Sequence, residues 1–185
     1  MAKKNGKIHK PLKNIYLCGF MCAGKTSAGR ALARLLRRPF ADSDELIERR
    51  LGRTINDFVN KNGLAAFRRE EAALVNELAA AGGRVVALGG GVYPSRRWRG
   101  LLERTGAVVL LTCRWPELLR RLELGRGGRP LLAGPWPRAA ARAKKLYSAR
   151  LPHYRRAAFA LDTAGLKPAA AARLIKERLA AKEKI

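Results

Sequence analysis

The sequence predicts one α/β domain organised on a parallel sheet. Three observations predict it. Short apolar runs alternate along the chain with stretches of helical periodicity. The runs at 85–88 and 107–112 show no polar alternation, which suits strands buried on both faces of a parallel sheet. Residues 19–26 read Gly-Phe-Met-Cys-Ala-Gly-Lys-Thr, the G-x-x-x-x-G-K-[ST] pattern of a phosphate-binding loop, with an apolar run before it and helical spacing after it. At 185 residues the chain is long enough for one domain with its own core.

The elements follow in order. Residues 1–13 carry Lys3, Lys4, Lys7, Lys10 and Lys13 and almost nothing apolar, which predicts a disordered basic tail ahead of a domain over 14–185. Residues 14–18, bounded by Pro11 and Gly19, read as the first strand, and 27–36 as the first helix. A second short strand ends at Ala41, so Asp42 and Asp44 stand at its carboxyl end, the edge where open α/β sheets bind ligands. Asp42 reads equally as the N-cap of a helix over 45–50. Two acids at this spacing suit a metal ligand and a catalytic base.

Thr54 caps a short helix, Asn62-Gly63 forms a turn, and 64–80 is a helix whose buried face runs through Leu64, Phe67, Leu74, Val75 and Leu78. Arg69 and Glu70 read as its solvated side. After the strand at 85–88 come Gly89, Gly90 and Gly91. A tight turn needs one or two glycines; three let backbone approach a ligand. A helix over 94–103, a strand over 107–112 and a helix from Pro116 to Leu124 follow. The stretch from about 122 to 136 is rich in glycine and proline and has the composition of a mobile lid. A basic helix over 138–150 ended by Pro152, a strand over 158–162 and a helix over 168–181 complete the chain.

Composition bounds the function. No apolar run approaches the ~20 residues of a membrane span, and the amino-terminal segment has no apolar core of a secretory signal. Cys18, Cys22 and Cys113 are few, odd in number and not in metal-ligand pairs, so a reducing, cytoplasmic setting is expected. The 39 Lys and Arg against 14 Asp and Glu give +25. Such a balance raises nucleic acid as a partner. The basic residues are spread through every segment, so nucleic acid is not expected; neither is a membrane, and the chain is read as a monomer.

Phosphoryl transfer needs positioning and charge neutralisation more than covalent chemistry. Lys25 can reach β- and γ-phosphates, and the Thr26 hydroxyl can ligate Mg²⁺. Asp44 can orient or deprotonate an acceptor hydroxyl. Arginines on other elements can grip a carboxylate through paired hydrogen bonds, and Arg129 can descend on the phosphates from the lid. The residues therefore point to an ATP-dependent small-molecule kinase with an anionic, hydroxylated acceptor.

The loop at 19–26, Asp42-Ser43-Asp44, Phe67-Arg68-Arg69-Glu70-Glu71, Gly89-Gly90-Gly91, Arg129-Pro130-Leu131-Leu132-Ala133-Gly134 and Arg150-Leu151-Pro152-His153-Tyr154-Arg155 occur in the order and spacing of the shikimate kinases. Over about residues 14–180 the chain resembles that family. The resemblance implies a P-loop kinase fold with a five-stranded sheet in the order 2-3-1-4-5. It implies transfer of the ATP γ-phosphate to the 3-hydroxyl of shikimate, giving 3-phosphoshikimate and ADP in aromatic amino-acid synthesis.

By the same resemblance, Cys22, Ala23, Gly24, Lys25, Thr26 and Ser27 would line the nucleotide phosphates, and Thr26 and Asp42 would serve Mg²⁺. Asp44 would be the base, with Lys25 and Arg129 on the transferring phosphoryl group. Arg68 and Arg150 would clamp the shikimate carboxylate beside Gly89, Gly90 and Gly91. Arg121 would pack on adenine. The chain departs from the family in having Cys22 where glycine is usual and Thr26-Ser27 where Ser-Thr is frequent. Its segment between Arg121 and Arg129 is about one residue longer, and Leu166 and Lys167 stand in the loop near adenine. The alternatives are another P-loop kinase of a small metabolite, which would lack a use for paired arginines, and a nucleic-acid-binding P-loop ATPase suggested by the charge.

Overall fold

The computed structural model describes residues 13–125 and 130–183. The elements are β1 (Asn14–Cys18), α1 (Lys25–Leu36), β2 (Phe40–Asp42), α2 (Ser43–Leu51), α3 (Ile55–Ala81), β3 (Val85–Ala87), α4 (Arg96–Thr105), β4 (Gly106–Thr112), α5 (Trp115–Leu124), a 3₁₀ turn (Pro130–Leu132), α6 (Trp136–Tyr154), β5 (Phe159–Asp162) and α7 (Pro168–Glu183). The strands form one sheet in the order β2-β3-β1-β4-β5. Every pairing is parallel, with Leu17 of β1 opposite Ala87 of β3 and Val109 of β4. The order expected from the resemblance is the one observed. β1 lies at the centre, so the loop that leaves its carboxyl end opens at the middle of the edge where such sheets bind ligands.

Two apolar cores fill the faces of the sheet. The period-2 geometry of β1 divides its side chains between them: Ile15 and Leu17 join Leu32, Val109 and Ile175 under α1 and α7, while Tyr16 and Cys18 join Val86, Leu110, Leu118 and Tyr154 on the opposite face. Close strand spacing explains Gly106 at the start of β4. A β-carbon there would stand 2.4 Å from the Asn14 carbonyl oxygen and 2.6 Å from the Tyr16 ring. The far end of the sheet is tied by Asn14, whose amide donates to Leu78 O and Tyr16 Oη at 2.8 Å and accepts from Arg84 N at 2.8 Å.

Several expected boundaries differ from those observed. Pro152 does not end its helix: α6 continues to Tyr154. It gives up one bond, to Ser148 O, with only two residues of helix left to run, and Arg155 N still bonds Leu151 O at 3.1 Å. The turn expected at Asn62-Gly63 is present, as a break at Gly63 (φ 80, ψ 162) that divides α3 into two helical stretches. Leu64 is 56% exposed, because the turn next to that break stands clear of both cores, and the buried face begins at Phe67. α4 starts at Arg96, two residues after Pro94. α5 runs through Leu124 and α6 starts at Trp136, so both ends of the expected lid stretch are helical. Nearly all of the basic tail, residues 1–12, lies outside the described residues.

Candidate active site

The phosphate-binding loop is shaped by three unusual backbone conformations. Gly19 has φ +139 and runs so close to β4 that a β-carbon would stand 2.3 Å from Leu111 O. Cys22 (φ 59) and Gly24 (φ 87) then turn the chain into α1, with Gly24 at the N-cap. Cys22 is a β-carbon-bearing residue in the left-handed region that a glycine would occupy freely. Lys25 folds back over the loop and donates to Phe20 O at 3.0 Å. Burial lowers its pKa from the ordinary lysine value, and the nearby Asp44 and Asp42 carboxylates oppose that shift.

Asp42 caps α2 and leaves its second oxygen facing the loop. Its Oδ1 accepts from Asp44 N at 3.0 Å and Glu45 N at 3.4 Å, capping α2. Its Oδ2 accepts the Thr26 hydroxyl at 2.7 Å. Two hard oxygens, one from each side of the loop, thus stand side by side where the phosphates of a nucleotide would lie. That donor set fits Mg²⁺, which takes one or two protein oxygens and fills the rest of its shell with phosphate and water. Among the described residues no cluster of three or more His, Cys, Asp or Glu could hold a metal alone.

Asp44 stands on the first turn of α2 with its side chain open to the cleft. Surrounding protein pushes its carboxyl up to about 6, against the lowering influence of Lys25 and with small raising contributions from Asp42, Glu71 and Glu48. The three consecutive glycines explain how this carboxylate and two guanidiniums gather. A β-carbon on Gly89 would stand 2.5 Å from Asp44 Oδ1; on Gly90, 3.3 Å from Arg150 Nη1; on Gly91, 3.2 Å from Arg68 Nη1 and 3.6 Å from Arg150 Nη2. Arg68 comes from α3 and Arg150 from α6, so elements far apart in the chain converge on one turn.

The turn itself is pinned from both sides. Gly89 N donates to Ser43 Oγ at 2.7 Å, and the Tyr154 hydroxyl donates to Gly90 O. Arg68 is aimed by Glu71, which accepts at 2.6 Å and is 5% exposed. Burying the acid while leaving the guanidinium half-exposed fixes the direction of the cation without neutralising its open edge.

On the far side, Arg121 is held between Glu117, at 2.8 Å, and Thr163, whose Oγ1 lies 3.2 Å and whose carbonyl oxygen lies 3.0 Å from its nitrogens. Thr163 is 4% exposed, and its hydroxyl also lies within hydrogen-bond reach of Ala23 O (3.1 Å) and Thr112 O (3.0 Å). It therefore joins the phosphate-binding loop, β4 and α5.

A cleft of about 1120 Å³ lies over the carboxyl edge of the sheet. Cys22, Gly24, Lys25, Thr26 and Ser27 line it from the loop, and Asp42, Asp44, Gly90, Arg121 and Arg150 from other elements. Ala23 is buried beneath the loop, and Arg68 reaches the rim at Gly91. Arg129 lies outside the described residues. Sequence reasoning missed Thr163, Ser43 and Tyr154, and left Glu71 without a task. Thr163 had a signal: it directly follows β5, at the same sheet edge as Asp42. Tyr154 had none, since only folding brings it to the glycine turn.

The arrangement offers backbone amides and a lysine to phosphate, paired oxygens to a cation, a carboxylate of raised proton affinity to a hydroxyl, and two guanidiniums to a carboxylate. The family model for shikimate kinase matches residues 21–180. The chain is 45% identical over 147 residues to the shikimate kinase of Symbiobacterium thermophilum, covering 78% of this chain and 83% of that one. It is 39% identical over 171 residues to that of Bordetella pertussis, covering 92% and 80%. The fold matches the shikimate kinase of Acinetobacter baumannii in complex with shikimate, with a TM-score of 0.86, 36% identity and coverage of 92% and 94%. It matches that of Aquifex aeolicus with a TM-score of 0.80, 29% identity and coverage of 92% and 98%.

Proposed function

The chain belongs to the shikimate kinase family, ATP-dependent kinases of a small-molecule alcohol, and from that premise we propose how its cleft moves a phosphoryl group from ATP to the 3-hydroxyl of shikimate. The observation that carries the reading is the convergence of Asp44, Arg68 and Arg150 on the three β-carbon positions that Gly89, Gly90 and Gly91 leave empty. A hydroxy acid needs that pairing: cations for its carboxylate and a base for its hydroxyl.

The loop amides and the amino end of α1 receive the β- and γ-phosphates. Lys25 exchanges its bond to Phe20 O for the transferring phosphoryl group, where a fixed cation stabilises charge spread over the equatorial oxygens. Thr26 and Asp42 would hold Mg²⁺, which supplies neutralisation of phosphate charge when bound. Arg68 and Arg150 take the acceptor carboxylate, Arg68 already oriented by Glu71. That fixes the ring so that the 3-hydroxyl faces Asp44, which accepts its proton as the oxygen attacks. A carboxyl poised near 6 is mostly ionised at neutral pH yet more basic than an ordinary aspartate.

Arg121 with Leu166, Pro168 and Ala171 forms the outer wall available to adenine. We read the enzyme as a monomer, and three free cysteines support a reducing, cytoplasmic setting.

The test is ADP release, coupled to a dehydrogenase readout, over a panel of hydroxy acids and neutral polyols with Mg²⁺ and ATP. Turnover is expected with shikimate and not with polyols lacking a carboxylate. Turnover of a neutral polyol with shikimate ignored would sink the reading in favour of another metabolite kinase.

A further inference from the structure

A run of arginines follows the carboxyl half of α1, beginning at Arg30, which also reaches the wall of the cleft. Arg30, Arg34, Arg37 and Arg38 fall at helical spacing i, i+4, i+7 and i+8, with no acid between them. With Ala33 and Phe40 they line a hollow of about 440 Å³ on the surface. Three of the four side chains are held. Arg30 donates to both Glu45 oxygens at 2.7 Å and lies 4.9 Å above the Phe40 ring. Arg34 Nε bonds Arg30 O at 3.4 Å, and Arg38 Nη1 bonds Lys13 O at 3.0 Å. Among the described residues, no acid forms an ion pair with Arg34, Arg37 or Arg38.

The fourth is placed by an unfavourable backbone. Arg37 has φ 53 and ψ 43 at the C-cap, where glycine is the residue that adopts this conformation freely. Keeping a β-carbon there sacrifices stability, and what it gains in exchange is a guanidinium in the hollow.

We propose that this hollow is a second anion site, one that takes the phosphodiester backbone of nucleic acid. Arg34, Arg37 and Arg38 have no acidic partner among the described residues, which suits phosphate, and holding Arg34 and Arg38 in advance lowers the entropy lost on binding. The net charge of +25 on 185 residues favours a polyanion over a single phosphate. The Phe40 ring lies beneath Arg30 and against Gly29, so it presents no platform for a base. Recognition is therefore of backbone charge, independent of sequence.

The test uses the full-length enzyme with Mg²⁺, ADP and shikimate, a pair that fills the cleft without reacting. Anisotropy of two labelled duplexes of unrelated sequence, each of about twenty base pairs, is followed from about 50 to 200 mM salt. The two duplexes are expected to bind alike, with affinity falling steeply as salt rises. The variant R34Q/R37Q/R38Q is expected to bind at least about tenfold more weakly, with a salt slope smaller by about two to three, and to keep wild-type kcat and KM.

A slope unchanged in that variant, loss of binding when ADP and shikimate fill the cleft, or capture of anionic phospholipid vesicles with the duplexes left free would each overturn the proposal. Arg37→Gly separates folding from binding. It is expected to raise Tm while weakening the duplex complex; undiminished binding in this variant would remove Arg37 from the site.

Discussion

The protein around Asp44 pushes its carboxyl up to about 6, and Lys25 only partly offsets that. In the unfolded chain the same group ionises near the ordinary aspartate value. Between those two values the folded state holds the proton more tightly. The contribution of Asp44 to stability is therefore greatest at the acid end and falls as pH rises towards 6. Asp44→Asn should raise Tm at pH 7 to 8 and lower kcat by about 10²–10⁴. The kcat/KM profile of the wild type should show an acid limb near pH 6 that the variant lacks; thermal melts and a pH series check both halves.

The clamp makes a separate prediction. Arg68→Ala removes charge-assisted bonds worth about 1.5–3 kcal/mol, so KM for shikimate should rise roughly ten- to a hundredfold with KM for ATP unchanged. Glu71→Gln should reproduce part of that rise through loss of aim. Cys22, at φ 59, carries a left-handed penalty of about 1–2 kcal/mol, part of which glycine would return as unfolded-chain entropy. Cys22→Gly should therefore raise stability by about 0.5–1 kcal/mol and tighten ATP binding, as read by thermal melt and calorimetry.

At the scale of elements, the site is a junction whose ties are single groups. Thr163 joins the end of β5 to the phosphate-binding loop, β4 and α5. Thr163→Val keeps the volume and removes the hydroxyl, leaving buried partners unpaired at a cost of about 1–3 kcal/mol. It should lower Tm and raise KM for ATP more than KM for shikimate, because the freed groups lie on the nucleotide side.

The sequence foretold the five strands because each is a short apolar run punctuated by glycine, proline or aspartate, and it foretold the loop because that motif is contiguous. Asp42, Asp44 and Gly89 to Gly91 were legible from their place after strands. Thr163 and Tyr154 were not, because a lone threonine or tyrosine looks the same wherever it falls. Pro152 misled, because proline breaks a helix in general and here falls two residues before the helix ends, whereas the break read at Gly63 is where α3 kinks.

For the molecule as a whole, charge is the dominant fact. At +25 the folded chain repels itself, and the ion pairs among its described residues are mostly exposed and weak. Raising salt from about 10 to 200 mM shortens the screening length from roughly 30 Å to less than 10 Å. Tm should therefore rise over that range, unlike that of a charge-balanced domain. The same field draws anionic substrates, so kcat/KM for ATP and for shikimate should fall as salt rises while kcat holds. Steady-state rates across a salt series would expose a flat response if the surface field plays no part.

Gly89, Gly90 and Gly91 give the acceptor its room by omission. Most binding sites are harmed when something is cut away; this one is harmed by anything put in. Even a methyl group at 89 would collide with the Asp44 carboxylate, and one at 91 would crowd both guanidiniums. A saturation library selected for turnover should thus return glycine most strictly at 89, where the gap is smallest, and admit at most the smallest side chains at 90 and 91.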